Sequence, residues 1–298
     1  MKEEINMSLV PVKFRFTTKE KIIMIIIMIL MVIGIIITWV NYVENAKIKV
    51  QYELAQKQLQ EALIKEQEEA ERKRQEKLPK LTEEGKENIK HIYSSDTKRA
   101  FLTFDDGPSS NTSQILDILK EKGIKATFFV LGSNVEKKPE LVKRMYDEGH
   151  FIANHGYTHI YENIYQSPEA VINEYNQCNQ AVRNAIGEQE YNSHLFRFPG
   201  GLNGGKYAEI KNQANALLLE NSIVHVDWNA LNGDSETTNP TTEYEMKRIA
   251  DTTANKQSVV ILMHDAEAKK VTAETLPNII EYLLGQGYTF KNFYEIIK

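Results

Sequence analysis

Cysteine is nearly missing from this chain. Its 298 residues hold one, Cys178, and a lone thiol excludes an intrachain disulfide. The fold must therefore hold through a hydrophobic core, which about 200 residues of globular chain can build. An excess of positive charge is absent too. Lysine and arginine number 36 against 41 aspartates and glutamates, and beyond residue 40 the balance is 31 against 38. That exported part is mildly acidic, lacks the basic footprint of a nucleic-acid binder, and no nucleic-acid partner is expected. No internal repeat is visible, which argues against a solenoid.

Charge of either sign is missing from residues 22–40, "IIMIIIMILMVIGIIITWV". At about 1.5 Å per residue this run spans roughly 28 Å, enough for a bilayer core. A buried core helix would carry a polar stripe, and only Thr38 breaks the apolar surface. A cleaved signal peptide would be shorter and followed by small residues, whereas Trp39, Asn41, Tyr42 and Glu44 follow here. An uncleaved transmembrane anchor is expected. Lys13, Arg15, Lys19 and Lys21 precede it, and only Lys47 and Lys49 lie close behind. The N-terminus, residues 1–21, is therefore expected in the cytoplasm and the rest outside, with Trp39 and Tyr42 at the outer interface. The expected location is a single-pass position in the cell membrane of a Gram-positive bacterium.

Glycine and proline are missing from 43–77, a stretch rich in Glu, Lys, Gln and Ala that favours helix. Ile48, Tyr52, Ala55, Leu59 and Ala62 keep heptad spacing, but Glu66 and Glu69 take the next two positions. Two heptads fall short of a coiled coil. Residues 41–78 read as a solvated helical stalk, with a weak homodimer through it as the protein partner. Residues 79–97 read as a linker.

From about residue 98 short apolar runs alternate with amphipathic stretches. The runs are 100–104, 126–132, 150–154, 195–199, 222–228, 258–264 and 288–293; helices are expected at 112–122, 138–148, 168–186, 206–220, 241–254 and 272–285. Seven strand–helix alternations predict a parallel α/β barrel or an open α/β sheet. Active sites in such folds lie at the carboxyl ends of strands. There the sequence places Asp105 and Asp106 after the first run and His155 and His159 after the third. Arg197, Asp227 and His264 lie near the ends of the next three.

These residue types suggest chemistry together. Two histidines four apart and one aspartate form a three-ligand set for Zn²⁺ or a similar divalent ion, with positions left for water and substrate. If Asp106 is that ligand, Asp105 can take a proton from an activated water. Gly107 and Pro108 turn the chain away; a helix cap near Ser109 is the plain alternative for the acids. Arg197 sits inside an apolar run and needs an acidic partner, for which Asp105 is the candidate; the cation would hold its pKa down and fix its orientation. An Asp227–His264 pair would raise the histidine pKa and ready it to protonate a leaving amine. Asp234 and Asp265 are near in sequence, with nothing favouring them. His150, His194 and His225 read as structural.

The ordered segments "TFDDGP" (103–108), His-x-x-x-His (155–159), "RFPG" (197–200), "DWN" (227–229) and "LMH" (262–264) resemble the five motifs of polysaccharide deacetylases, the carbohydrate esterase family 4 or NodB-homology domain. The resemblance covers residues 98–298. It implies a distorted (β/α) barrel and metal-dependent removal of N-acetyl groups from an amino-sugar polymer of the cell wall, most simply the N-acetylglucosamine of peptidoglycan. Secreted polyglucosamine, chitin oligomers and acetylated xylan are the alternatives, as is a non-catalytic wall-binding protein. Carried over, Asp105 is the base and Asp106, His155 and His159 hold the metal, expected to be zinc. His264 is the acid, Arg197 and Asp227 tune Asp105 and His264, and the Gly200 N–H receives the oxyanion. The chain departs from the family pattern twice. Gly156 replaces a hydroxyl residue that could brace its loop, and Gly200-Gly201 replaces an aromatic, which predicts a more open cleft.

Overall fold

Residues 16–297 are described in the computed structural model, in which the chain divides into two units, residues 1–73 and 74–298. The first unit consists, in its described part, of helix α1 (Thr18–Lys77), which runs on into the second. The apolar side chains between Ile22 and Val40 are all exposed, and the helix is long and apolar enough to cross a membrane. Thr38 turns its hydroxyl back onto the carbonyls of Gly34 and Ile35, at 3.1 and 2.8 Å, so it presents no unmet donor to an apolar surrounding. No break separates the expected anchor from the expected stalk, whose lysines and glutamates pair along the helix, as Lys73 does with Glu69 at 2.6 Å. Of the basic flank, Lys13 and Arg15 lie outside the described residues.

Alternation of buried side chains builds the second unit. Its elements are α2 (Glu83–Lys90), β1 (Arg99–Asp105), α3 (Thr112–Glu121), β2 (Thr127–Val130), α4 (Gly132–Lys137), α5 (Pro139–Asp147), β3 (Phe151–Asn154), α6 (Tyr161–Ile164), α7 (Pro168–Ile186), β4 (Leu195–Phe196), α8 (Ala208–Glu220), β5 (Val224–His225), β6 (Ala230–Leu231), α9 (Thr242–Thr253), β7 (Ser258–His264), α10 (Lys270–Gly285) and β8 (Thr289–Lys291), then a 3₁₀ turn at Phe293–Glu295. Seven parallel strands run in the order β5-β4-β3-β2-β1-β7-β6 and curl into a half-barrel; β8 pairs with the first half of β1. The seven expected runs each contain a strand, and β6 is an eighth that the sequence reading lacked. The unforeseen strand is two residues long, too short to show a period.

Along β1, Ala100, Leu102 and Phe104 pack outward against the helices, in one core with Ile261 and Met263 of β7. The intervening Phe101 faces the interior with Phe129, Phe151 and Val260. Thr103 and Asp105 continue that inward row towards the strand end, so the interior is apolar at the bottom and polar at the rim. Nothing pairs β5 with β6 among the described residues. Residues 226–229 cross that gap. The Val226 N–H donates to the Phe196 carbonyl at 2.9 Å and the Asn229 N–H to that of Val260 at 3.1 Å. The Asn229 side chain also meets Val260 N and Ser258 O, at 2.8 and 2.9 Å, standing in for a strand neighbour.

Residues 79–97 are more than the linker expected. Helix α2 is capped by the Thr82 hydroxyl, which accepts from Gly85 N at 2.9 Å, and it buries Ile89; Ile92 follows at 1 % exposure. Both join Phe293, Ile296 and Ile297 in closing the bottom of the barrel. A Cβ at Gly85 would collide with the Ile297 backbone, so only glycine fits that approach. The sequence hid this helix because eight residues carry barely two turns of period. Truncating Ile92 to alanine should therefore lower unfolding free energy by about 2–5 kcal/mol. A chemical denaturation midpoint equal to that of the unchanged chain would show the segment to be a tether only.

Candidate active site

The rim of the barrel gathers the acids and histidines that the sequence placed at strand ends. Asp105 is the last residue of β1 and lies in register with His264 of β7, so both face inward on neighbouring strands. Asp106 leaves the strand with φ of 72°, a left-handed turn that an aspartate tolerates better than most side chains. That turn, not strand alternation, carries the second carboxylate to the same rim. Gly107 must follow because a Cβ there would lie 2.5 Å from Asp265 Oδ2.

Asp106 Oδ1 is buried without a hydrogen-bond partner, 3.6 Å from His155 Nε2 and 3.5 Å from His159 Nε2. Those gaps are too long for hydrogen bonds. Two donors about 2.1 Å from one tetrahedral ion would lie about 3.4 Å apart, which matches them. The ligand atoms of the three residues all fall within 4.8 Å of one another. His155 Nδ1 meets the Arg197 carbonyl at 2.7 Å; a carbonyl only accepts, so Nδ1 carries the proton and Nε2 keeps its lone pair for a ligand. Burial pushes the His155 pKa down to about 3, against the nearby Asp106, so the ring is neutral around pH 7. The donor set therefore fits a divalent ion.

Glu174 of α7, which the sequence reading did not single out, holds the histidine loop. Its carboxylate accepts from Tyr157 N at 2.6 Å, Thr158 N at 2.7 Å and the Thr158 hydroxyl at 2.8 Å. Gly156 sits between, with φ of 90°, and a Cβ would come within 3.3 Å of Glu174 Oε2. The brace expected from a hydroxyl at position 156 thus comes from another element. Glu174 keeps the spacing of the buried face of α7, between Val171 and Cys178. An acid on that apolar stripe is the signal the sequence carried, though not for which loop it would hold.

Arg197 is fully buried. Its guanidinium donates to Asp105 Oδ1 at 2.7 Å, Thr103 Oγ1 at 2.8 Å, Val226 O at 3.0 Å and Asp227 O at 3.0 Å, and lies 4.0 Å from the centre of the Phe129 ring. The expected Arg197–Asp105 pair is present, yet the carboxyl pKa moves up, not down: burial raises it more than Arg197 and His264 lower it. Desolvation wins because both members of the pair are buried from water.

The expected Asp227–His264 pair is not formed. His264 Nδ1 meets Asp234 Oδ1 at 2.8 Å, and the His264 N–H donates to Asp234 Oδ2 at 2.8 Å. The Asp227 carboxylate instead accepts from Leu202 N at 3.1 Å. Asp227 lies on the segment crossing the gap, whereas Asp234 follows β6, the strand beside β7; unrecognised, that strand gave no reason to prefer Asp234. Burial alone would lower the His264 pKa, but the Asp234 hydrogen bond and charge, with Asp105 and Asp106, outweigh it and push it up to about 8.

Leu202 and its neighbours form the loop expected to supply an oxyanion donor. Lys211 donates to Gly201 O at 2.6 Å while Asp227 holds Leu202 N, so two charged groups clamp the loop. Gly200 has φ of 76° and its N–H has no acceptor among the described residues. The Tyr161 hydroxyl would lie 2.5 Å from a Cβ at Gly200, and Trp228 3.2 Å from one at Gly201. Tyr161 and Trp228 thus stand directly against the two glycines. Cavities of about 240 Å³ beside Tyr161 and Gly200, and of about 350 Å³ beside Asp106 and His159, flank the cluster. Of the remaining candidates, Asp265 braces the turn after Asp106 through Ser109 and Thr112, and Cys178 is buried on α7.

The curled parallel sheet with its functional groups at one rim is the fold of the family 4 carbohydrate esterases. The solved structure of a Streptococcus mutans CE4 esterase superposes with a TM-score of 0.62 at 31 % identity, covering 69 % of this chain and 90 % of that one. Residues 93–218 match the family model described as polysaccharide deacetylase. A peptidoglycan-N-acetylglucosamine deacetylase of Bacillus cereus is 35 % identical over 201 residues, 66 % of this chain and 70 % of that protein. A peptidoglycan-N-acetylglucosamine deacetylase of Listeria monocytogenes is 36 % identical over 200 residues, 67 % of this chain and 39 % of that protein. The chain belongs to the polysaccharide deacetylase family.

Replacing Asp234 with asparagine should drop the His264 pKa by about one unit or more, since the raising hydrogen bond and charge are lost while burial stays. Asp227→Asn should leave it in place. NMR titration of the His264 ring checks both, and the reverse pattern would restore the Asp227 pairing.

Proposed function

We propose that the chain is a metal-dependent hydrolase that removes N-acetyl groups from an amino-sugar polymer outside the cell, foremost the N-acetylglucosamine of peptidoglycan, and that α1 anchors it in the cell membrane with the N-terminus inside. The orphaned Asp106 Oδ1 facing two histidine Nε2 atoms supports this best, because a buried carboxylate oxygen without a donor implies an absent cation. Asp106, His155 and His159 would hold the ion, zinc by its nitrogen and oxygen donors. The ion would polarise the acetamide carbonyl and lower the pKa of water.

The chain's own groups divide the remaining work. Asp105, held by Arg197, takes a proton from the attacking water. The Gly200 N–H, in its clamped loop, receives the negative charge that develops on the carbonyl oxygen. His264, kept as imidazolium by Asp234, gives its proton to the nitrogen as the C–N bond breaks, leaving acetate and a free amine. Asp227 acts on the loop rather than on His264. A wall-binding protein that kept the fold would need neither the buried Asp105–Arg197 pair nor an Asp–His pair across from it. Deacetylation is the reading those pairs favour.

Acetate release from N-acetylglucosamine oligomers and peptidoglycan fragments should require metal and stop with chelator. Asp105→Asn should lower kcat by about 10²–10⁴-fold. Undiminished release in that variant would sink the assignment of the base. His264 must be protonated to act, so kcat should fall as pH rises through about 8. Glu174→Ala should weaken Zn²⁺ binding by roughly 10–100-fold, measured by metal titration, because the histidine loop loses its three-donor anchor.

A further inference from the structure

Behind His264 lies a polar cluster that the reaction above does not use. Asp234, Asn232, Glu245 of α9 and Thr272 of α10 are each 0–2 % exposed. Asp234 Oδ2 receives the Thr272 hydroxyl at 2.9 Å as well as the His264 N–H. The same hydroxyl oxygen lies 3.3 Å from Glu245 Oε1 and receives Asn232 Nδ2 at 3.2 Å. Asn232 Nδ2 also donates to Glu245 Oε2, at 3.1 Å. Two acids therefore share one hydroxyl in a water-free place.

Counting hydrogens decides their charge. A threonine hydroxyl donates one hydrogen bond and accepts two. If its proton goes to Asp234, the nearer acid and the partner of the imidazolium, then Glu245 Oε1 can bond to it only by donating. An ionised Glu245 would place a carboxylate oxygen against the lone pairs of Thr272, and a second buried charge beside Asp234 with no cation of its own. Other charged groups facing the cluster are already engaged. Lys269 donates to the Asp234 carbonyl at 2.6 Å, and Arg248 pairs with Glu236 at 2.6 Å.

We infer that Glu245 works as a neutral carboxylic acid, the first donor in a chain Glu245–Thr272–Asp234–His264 that orients the Asp234 carboxylate behind the proton-donating imidazole. Glu245 is a positioning residue: it touches neither substrate nor reacting atoms. Burial pushes its pKa up to about 7, Asp234 adding to the rise, over the opposing hydrogen bonds of Asn232, Thr272 and Thr275. Glutamine can give Thr272 an N–H and offer Asn232 a carbonyl oxygen as the neutral acid does, with one further N–H; leucine keeps only the volume.

The role of the chain in catalysis rests on the deacetylase reading, but the protonation of Glu245 can be read without substrate. Infrared difference spectra of the full chain at pH 6 should show a protonated carboxylic acid band that is missing from Glu245→Gln and shifted in the near-isosteric Thr272→Val. In acetate release at pH 6, Glu245→Gln should keep most of kcat, while Glu245→Leu and Thr272→Val lose roughly tenfold with KM unchanged, the scale of one hydrogen bond to a charged group. Absence of the band in the unchanged chain, or Glu245→Gln falling as far as Glu245→Leu, would overturn the inference. The band present with no acetate released by any form would uphold the neutral acid and sink the deacetylase reading instead.

Discussion

A single guanidinium placed where water cannot reach it sets the terms for the rest of this site. Arg197 is costly to bury, and its position is tolerable only because Asp105, Thr103 and two carbonyls of the segment 226–227 accept its protons while Phe129 covers its face. The partners come from three parts of the barrel, so satisfying one cation fixes β1, β2 and the crossing segment together. Its own carbonyl fixes the tautomer of His155. Base and histidine cluster are thus aligned by opposite ends of one residue.

The two histidine environments differ because the barrel is graded from an apolar floor to a polar rim. His155 is buried with a carbonyl on Nδ1 and is kept neutral, as the proposed role of metal ligand requires. His264 has a carboxylate on Nδ1 that favours its charged form, as the proposed role of proton donor requires. The neighbouring strands β1 and β7 place Asp105 and His264 side by side, and strand register accomplishes this without any help from loops.

Much of this could be read in the chain. The strands β1, β3 and β7 announce themselves as apolar runs ending in acid or histidine, and α7 has Ser167 and Pro168 at its start and Gly187 beyond its end, the ordinary punctuation of a helix. Other features could not be read, for identifiable reasons. Asp234 is the partner of His264 only because β6 brings it there, and a two-residue strand leaves no period. Glu174 braces a loop from across the fold, a contact that spacing along α7 does not encode. Arg197 does lower the Asp105 pKa as the sequence suggests, but desolvation outweighs it, and depth of burial is a property of the folded chain. Gly156 looks like a loss by comparison with the family motif, whereas Glu174 braces the histidine loop from another element.

The gap between β5 and β6 gives the barrel one soft direction. Every other neighbouring pair of strands in the curled sheet shares backbone hydrogen bonds, and forcing them apart breaks a ladder. At the gap the two edges are joined by four residues, single backbone contacts on either side and the amide of Asn229. Arg197 bridges the same place, giving two of its hydrogen bonds to the Val226 and Asp227 carbonyls and a third to Asp105. The one edge of the barrel without a ladder is therefore the edge whose displacement would shift that carboxylate.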